Sequence, residues 1–496
     1  MSERIANLIG GQWRPAVSGE TLESRNPADN QEVVAVAPAS SVADVDAAVA
    51  AAKAAFPRWR AVPAPKRGEL LFRAAERLAV EKEALAQIVT REMGKVLAEA
   101  RGDVQEAIDM TYYMAGEGRR LAGETVPSEL PDKDAKSIRV PLGVCGLITP
   151  WNFPVAIPSW KITPALVAGN TVVLKPSVFT PLCATRFVEI LQNAGLPPGV
   201  LNLVHGHGEG VGDALVGHPD VAVVSFTGSS AVGEKVEAVC GRLHRPVCTE
   251  TGGKNPLIVM DDADLDLAIE GAIWGGFGTS GQRCTAASRV IVHQRVYDAF
   301  LSRFVQAAKR LRLGPGLDTQ TDVGPVINAA QQRTVLEYIE IGKKEGAKLL
   351  CGGHAATDGP LARGHFIAPT IFGEVTPTMR IAQEEIFGPV VSVIKARDLG
   401  HAIEIANGVA YGLSSAIYTR DVNNSAIAER DLDTGIVYIN ASTIGAEIQL
   451  PFGGTKRTGL GPREAGGRGG ALELYTKWKV IYRDYSGKLQ KAQIDT

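Results

Sequence analysis

The sequence predicts an α/β protein in which two main units each carry a largely parallel sheet. Three observations predict this. Short apolar runs rich in Val and Leu recur at 143–148, 171–175, 200–204 and 221–226. Segments with helical spacing separate them, as in βαβ units. The alternation restarts after Gly252-Gly253, with runs at 256–260, 287–293, 390–395, 414–419 and 435–440. Runs that are apolar throughout suit strands covered on both faces. The polar or glycine-rich loops after them lie where an open α/β sheet binds its ligands.

In chain order, residues 1–40 read as short strands and turns, with Ile9-Gly10-Gly11-Gln12-Trp13 as a hairpin signal. A helix starts at Ser41, and Asp44 completes a capping box. Val42, Val45, Val49 and Phe56 share one of its faces. A second helix runs from about Glu69, turning Leu71, Ala75, Leu78, Leu85 and Ile88 inward. A third covers about 97–121, with Glu106 and Glu117 read as solvated charges on its polar side. Residues 296–312 read as a further helix, and Leu313-Gly-Pro-Gly-Leu-Asp318 is a breaker. The tail at 477–482 alternates like an exposed strand, and such a strand calls for a partner, which points to assembly with another subunit.

Bulk properties exclude several classes. The 496 residues leave room for roughly two to four domains. With 45% hydrophobic and 21% charged residues, the composition is that of a soluble globular protein. The 52 basic and 54 acidic residues are interspersed, so neither a nucleic-acid stripe nor a polybasic membrane patch is expected. The N-terminus lacks an apolar signal core, and the apolar region 155–174 is broken by Pro158, Lys161, Pro164 and Asn170. Export and membrane insertion are therefore not expected. Six cysteines stand apart at 145, 183, 240, 248, 284 and 351, without C-x-x-C pairs or metal spacing. That usage fits a reducing compartment, the cytoplasm, and no metal.

Six stretches carry candidate chemistry, and each also has a plain structural reading. Phe277-Gly-Thr-Ser-Gly-Gln-Arg-Cys284-Thr285 sets a cysteine among small residues, directly after Arg283. A free thiol has a pKa near ~8.5, and a neighbouring cation and backbone N–H groups favour the nucleophilic thiolate. Alternatively the cysteine is a small buried hydrophobe. Thr149-Pro150-Trp151-Asn152-Phe153-Pro154 ends a strand, and its Asn152 amide suits either a structural hydrogen bond or a developing oxyanion. Leu174-Lys175-Pro176-Ser177 ends the next strand, where a lysine reaches a phosphate or ribose, or only water. Ser225-Phe226-Thr227-Gly228-Ser229 leads into a helix start that favours an anion. Its spacing is neither Gly-x-Gly-x-x-Gly nor a hydrolase P-loop. Glu250 before Gly252-Gly253 suits a general base acting through water. Glu385-Ile-Phe387-Gly-Pro389 offers a carboxylate for ribose hydroxyls and a ring for a flat cofactor.

Jointly, in this order, the stretches Pro150-Trp-Asn-Phe-Pro154, Phe226-Thr-Gly-Ser229, Glu250 with its Gly-Gly, Gly281-Gln-Arg-Cys284, Glu385-Ile-Phe-Gly-Pro389 and Pro451-Phe-Gly-Gly454 resemble the aldehyde dehydrogenase superfamily over residues 5–485. The resemblance implies an NAD(P)-binding domain of Rossmann type (1–121 and 143–253), a catalytic α/β domain (254–468) and an oligomerisation arm with the tail (122–142 and 469–496). It implies a homodimer or homotetramer that oxidises an aldehyde to an acid through a cysteine thiohemiacetal and thioester. Cys284 resembles the nucleophile and Asn152, with the Cys284 N–H, the oxyanion donor. Glu250 resembles the base for the deacylating water, and Lys161 and Glu464 a pair relaying protons to it. Thr149, Pro150, Trp151, Lys175, Ser177, Gly208, Phe226, Gly228, Ser229, Gly252, Glu385 and Phe387 match cofactor contacts. Phe153, Ile157, Trp160, Arg283, Thr285, Ile444 and Phe452 match the substrate pocket.

Two departures stand out. Val178 replaces a glutamate that grips the adenosine ribose in many NAD-specific members, which implies use of NADP as well as NAD. Thr251 replaces the usual leucine. The runs 155–161 and 443–447 look closest to bacterial α-ketoglutaric semialdehyde dehydrogenases, so an acidic semialdehyde is the first expectation, with aromatic or aliphatic aldehydes next. Trp160, where succinic semialdehyde enzymes often carry arginine, weakens a four-carbon acid. A CoA-acylating relative and a non-enzymatic protein on the same fold remain alternatives. Glu250 speaks against the first, and the joint presence of Cys284, Asn152 and Glu250 against the second.

Overall fold

The computed structural model describes residues 2–494. Among these, one sheet has eight strands, of which five central ones run parallel. Their spatial order is Val247–Glu250, Val221–Thr227, Val144–Ile148, Thr171–Lys175, Leu201–Leu203. The first of these strands in the chain is thus central, and the sheet grows outward from it in two directions. At such a reversal the loops leave the strand ends on opposite sides and open a crevice. The loops after Ile148 and Thr227 border it. Antiparallel edges close the sheet: Gly459–Leu460 on one side and the hairpin Asn7–Ile9 with Gln12–Arg14 on the other.

The helices follow the sequence reading with informative exceptions. Val42–Ala61 is capped by Ser41, whose N–H donates to Asp44 Oδ2 at 2.9 Å. Val45 and Val49 are buried, but Val42 in the first turn is exposed. The second helix begins at Ala64, ahead of Glu69, with proline in its first turn where the missing N–H costs nothing. Leu71, Ala75, Leu78 and Leu85 are buried there, and Ile88 is partly buried.

The third helix, Leu97–Glu117, corrects the reading of its charges. It packs against both Ala64–Met93 and Ala156–Ala168. Part of its polar side is therefore covered, while Arg101 and Asp109 stay exposed. Glu117 is buried and accepts from Arg120 Nε at 2.6 Å. Glu106 lines an internal cavity.

The second sheet has seven described strands in the order Lys348–Cys351, Thr370–Gly373, Val390–Ala396, Arg289–His293, Pro256–Val259, Ser414–Tyr418 and Ile436–Ile439. All run parallel except the first. Apolar clusters cover its two faces, one centred on Ile258, Ile291 and Ile394, the other on Leu257, Val290 and Val393.

Lys133–Pro141 pairs antiparallel with Thr476–Asp484 along its whole length, and Glu124–Val126 forms its other neighbour. This small sheet exposes Trp478, Val480 and Tyr482, alternate residues of one strand and so one face. The Arg139 guanidinium lies 4.0 Å from the Trp478 ring centre. Among the described residues no helix is long and apolar enough to cross a membrane, and no group of three or more His, Cys, Asp or Glu is placed to hold a metal.

Candidate active site

The loop that carries Cys284 is held in an unusual backbone path. After the helix Leu265–Phe277, residues Thr279, Ser280 and Gly281 take φ values of 52°, 56° and 68°. Left-handed backbone is rare for a β-branched residue and marks a conformation imposed by its surroundings. Here Ser280 Oγ donates to Gly324 O at 2.7 Å, and buried Gln282 accepts the Ile327 N–H at 2.9 Å. A Cβ on Gly281 would stand 2.2 Å from Gly388 O, so only glycine fits. On the far side, Cys284 O accepts Asn255 Nδ2 at 2.7 Å, and a Cβ on Gly253 would lie 2.2 Å from that same oxygen.

Cys284 stands where two cavities meet. One, of about 110 Å³, is also lined by Glu250, Glu464, Glu106 and Arg283. Of the residues matched to the substrate pocket, Phe153, Ile157, Trp160, Thr285 and Phe452 line it too. Trp160 and Phe452 meet edge-on at 4.8 Å between ring centres. Ile444 does not line it: the residue is buried, and Gly445 and Ala446 hold that stretch of wall. The second cavity, of about 280 Å³, is lined by Asn152, Cys284, Pro150, Trp151, Gly228, Ser229, Gly252, Glu385 and Phe387. Ile157, Thr227 and Thr251 border both.

The polar groups are fixed from behind. Asn152 Nδ2 donates to Gln282 O at 3.1 Å, leaving its second N–H for a ligand. Glu250, last residue of its strand, accepts the Gly454 N–H at 3.1 Å on Oε1, while buried Oε2 has no partner among the described residues. Lys161 Nζ contacts Glu464 Oε1 and donates to Ser225 Oγ at 2.7 Å. Thr251 donates to Thr458 O at 2.8 Å, a structural use of the hydroxyl that leucine lacks.

The electrostatic surroundings correct one expectation. Burial pushes the Cys284 thiol well up, Glu250, Glu385 and Glu464 add to this, and the Thr285 N–H opposes it. Arg283, expected as a cation favouring the thiolate, is engaged elsewhere: Nη2 donates to Glu99 Oε1 at 3.1 Å and Nε to Thr279 Oγ1 at 2.9 Å. Neighbours in the chain are not neighbours in charge. Burial, then Glu464, also raises Glu250 well above the usual carboxylate range.

The second cavity fits a dinucleotide. The helix Ser230–Arg242 points its first turn there, and its N-cap Ser229 makes no side-chain cap, so backbone donors remain for a pyrophosphate. Glu385 Oε1 accepts the Gly253 N–H at 2.8 Å, leaving lone pairs for ribose hydroxyls. Trp151 and Phe387, edge to face at 5.5 Å between ring centres, form part of its wall. Other expected contacts lie outside this lining. Thr149 Oγ1 is buried without a partner among the described residues, Lys175 Nζ donates to Pro176 O at 2.8 Å, and Ser177 Oγ accepts the Phe179 N–H at 3.2 Å. Gly208 is exposed, and the Phe226 ring packs under Gly228. Conversely Gln331, Thr334 and Ile386 line the cavity without having been singled out from the sequence. Gln331 Nε2 holds Phe387 O at 2.9 Å. Gln331 and Thr334 sit on an ordinary-looking helix, Ala329–Lys344, with no local motif.

A thiol where a larger cleft with anion and ribose partners meets a smaller cavity, on two largely parallel sheets, points to the oxidoreductase class. Comparison with known proteins gives the family. Residues 13–481 match the aldehyde dehydrogenase family, and the chain belongs to it as an NAD(P)-dependent aldehyde dehydrogenase. It is 44% identical to an alpha-ketoglutarate semialdehyde dehydrogenase of Haloferax volcanii, over 98% of this chain and 100% of the relative. It is 43% identical to an alpha-ketoglutaric semialdehyde dehydrogenase of Bacillus subtilis, over 96% and 97%. The crystal structure of betaine aldehyde dehydrogenase from Staphylococcus aureus in complex with NAD+ superposes with a TM-score of 0.95 at 35% identity, covering 98% of this chain and 95% of that one.

Proposed function

We propose that the protein oxidises a semialdehyde acid, of which α-ketoglutaric semialdehyde is the first choice, with Cys284 as nucleophile. The carrying observation is that Cys284 alone among the candidate catalytic groups borders both cavities, with Glu250 in one and Asn152 in the other. The sulfur adds to the aldehyde carbon, and the thiol proton leaves to solvent. The new alkoxide accepts hydrogen bonds from Asn152 Nδ2 and the Cys284 N–H. The carbonyl then re-forms as the former aldehyde hydrogen departs with its electron pair. NAD or NADP, bound in the second cavity, supplies the hydride acceptor. Water then enters beside Glu250, whose unpartnered Oε2 takes its proton. The C–S bond breaks and the acid leaves. Lys161 and Glu464 pass the proton onward.

Two relatives named for α-ketoglutarate semialdehyde, each above 40% identity over nearly the whole chain, support the substrate class. The aromatic walls Phe153, Trp160 and Phe452 favour an uncharged aldehyde as the second reading. Val178 and the buried Lys175 support NADP beside NAD. The same reading divides the chain at the boundaries given above and makes it a cytoplasmic homo-oligomer through the 122–142 and 469–496 arm. An aldehyde panel followed by absorbance of reduced cofactor, with NAD and with NADP, tests substrate and cofactor together. Higher kcat/KM for aromatic or alkyl aldehydes than for any semialdehyde acid refutes the substrate class. A product that forms only with CoA refutes hydrolysis.

A further inference from the structure

We propose that the Glu106 carboxyl group is a specificity residue: in its neutral form, together with the Arg283 guanidinium, it binds the distal carboxylate of the substrate. The inference rests on the semialdehyde-acid reading and deepens it.

The helix Leu97–Glu117 turns Glu99, Asp103 and Glu106 to one side, at spacings of four and three residues, with Asp103 buried and the two glutamates partly so. Two cations face them, and both are committed. Lys95 Nζ donates to Asp103 Oδ2 at 3.2 Å. Arg283 Nη2 donates to Glu99, which also accepts the Thr279 N–H at 2.8 Å. Asp103 Oδ1 accepts the Ala156 N–H at 2.8 Å. Three carboxyl groups thus meet two cations, and Glu106 is left over. It has no hydrogen-bond partner among the described residues and lines the cavity that holds Cys284. Burial is the main effect on it. Asp103 and Asp109 on its own helix add to this, while Lys95 and Arg283 oppose it. Tyr438 is within electrostatic range of it, and of Glu447 and Cys284 as well. Burial and the two aspartates outweigh the two cations and push Glu106 up to about 8.

At neutral pH the cavity therefore presents an O–H donor beside a guanidinium whose Nη1 makes no hydrogen bond among the described residues. A carboxylate satisfies both, one oxygen on each. An ammonium tail would meet Arg283 as a like charge, and an alkyl tail would leave both donors unmatched. Ionised Glu106 would in turn repel the substrate carboxylate. Binding is then lost as pH rises through the Glu106 titration.

The test is the ratio of kcat/KM for α-ketoglutaric semialdehyde to that for pentanal, an uncharged aldehyde of the same chain length. Taking the ratio cancels the shared titrations of Cys284 and Glu250. The inference requires the wild-type ratio to fall roughly tenfold between pH 7 and 9, and to stay flat in Glu106→Gln. Glutarate, a dicarboxylate that is not oxidised, must lose potency as a competitive inhibitor over the same range in the wild type, which keeps the test open if the variant does not fold. A wild-type ratio that favours the acid equally at every pH, or that falls equally in Glu106→Gln, overturns the role of Glu106 and leaves the substrate class standing. A ratio near one throughout, or a preference for 4-aminobutanal, overturns both.

Discussion

Burial keeps the Cys284 thiol and the Glu250 carboxyl protonated to higher pH than the free groups, and each must lose its proton to act. With the uncharged substrate pentanal, kcat/KM therefore rises from pH 6 to 9. A flat profile or a fall would contradict the assigned roles. Glu250→Gln should leave thiol addition and hydride loss in place but starve the second half-reaction of its base. Rapid mixing then shows a burst of reduced cofactor, near one per active site, followed by slow turnover. Loss of the burst together with turnover would move Glu250 out of that role. Asn152→Ala removes one donor aimed at the alkoxide, and the typical cost is ~3 kcal/mol, about a hundredfold in kcat. Unchanged kcat would mean that its hydrogen bond to Gln282 is its whole purpose. The side chains of this site were only partly legible. The cysteine, amide and glutamate announced themselves through their glycine and aromatic neighbours. Glu106 did not, because helical periodicity assigns a charged residue to solvent unless a second packed helix is known to cover it.

At the scale of the element, the loop 278–285 acts as a clamp. Its left-handed run aims the thiol, and Gly253 lets the Cys284 carbonyl pass close by. Gly253→Ala places a methyl group where that oxygen stands, so the nucleophile must shift. Misplacement by about 1 Å costs on the order of a hundredfold in rate. A loss of kcat of that size, with cofactor binding retained by protein fluorescence, is the expected result, and wild-type kcat would show that the loop has room to give. Strands were legible because parallel strands are apolar on both faces and need no alternation to be seen. The capping box at Ser41 was legible because it lies within four residues. The cleft-lining residues Gln331 and Thr334 were not, since nothing local distinguishes them from other polar helix residues.

For the whole molecule, the open question is what covers the face of Trp478, Val480 and Tyr482. We propose that a second subunit covers these three exposed apolar residues, on a strand that pairs on one side only among the described residues. Val480→Asp should shift the wild-type oligomer toward smaller species in light scattering after size exclusion. A wild-type protein already running as a single chain would refute this use of the arm.

The sequence by itself determined the sheets, the order of the motifs and the candidate nucleophile, base and amide, because each is written in contiguous residues whose spacing carries its own physics. Only the tertiary structure decided which charges meet. Arg283 turns to Glu99 and leaves the thiol, and Glu106 ends as a cavity carboxyl group without a hydrogen-bond partner among the described residues. Electrostatic pairing depends on distance and burial in space, and separation along the chain encodes neither.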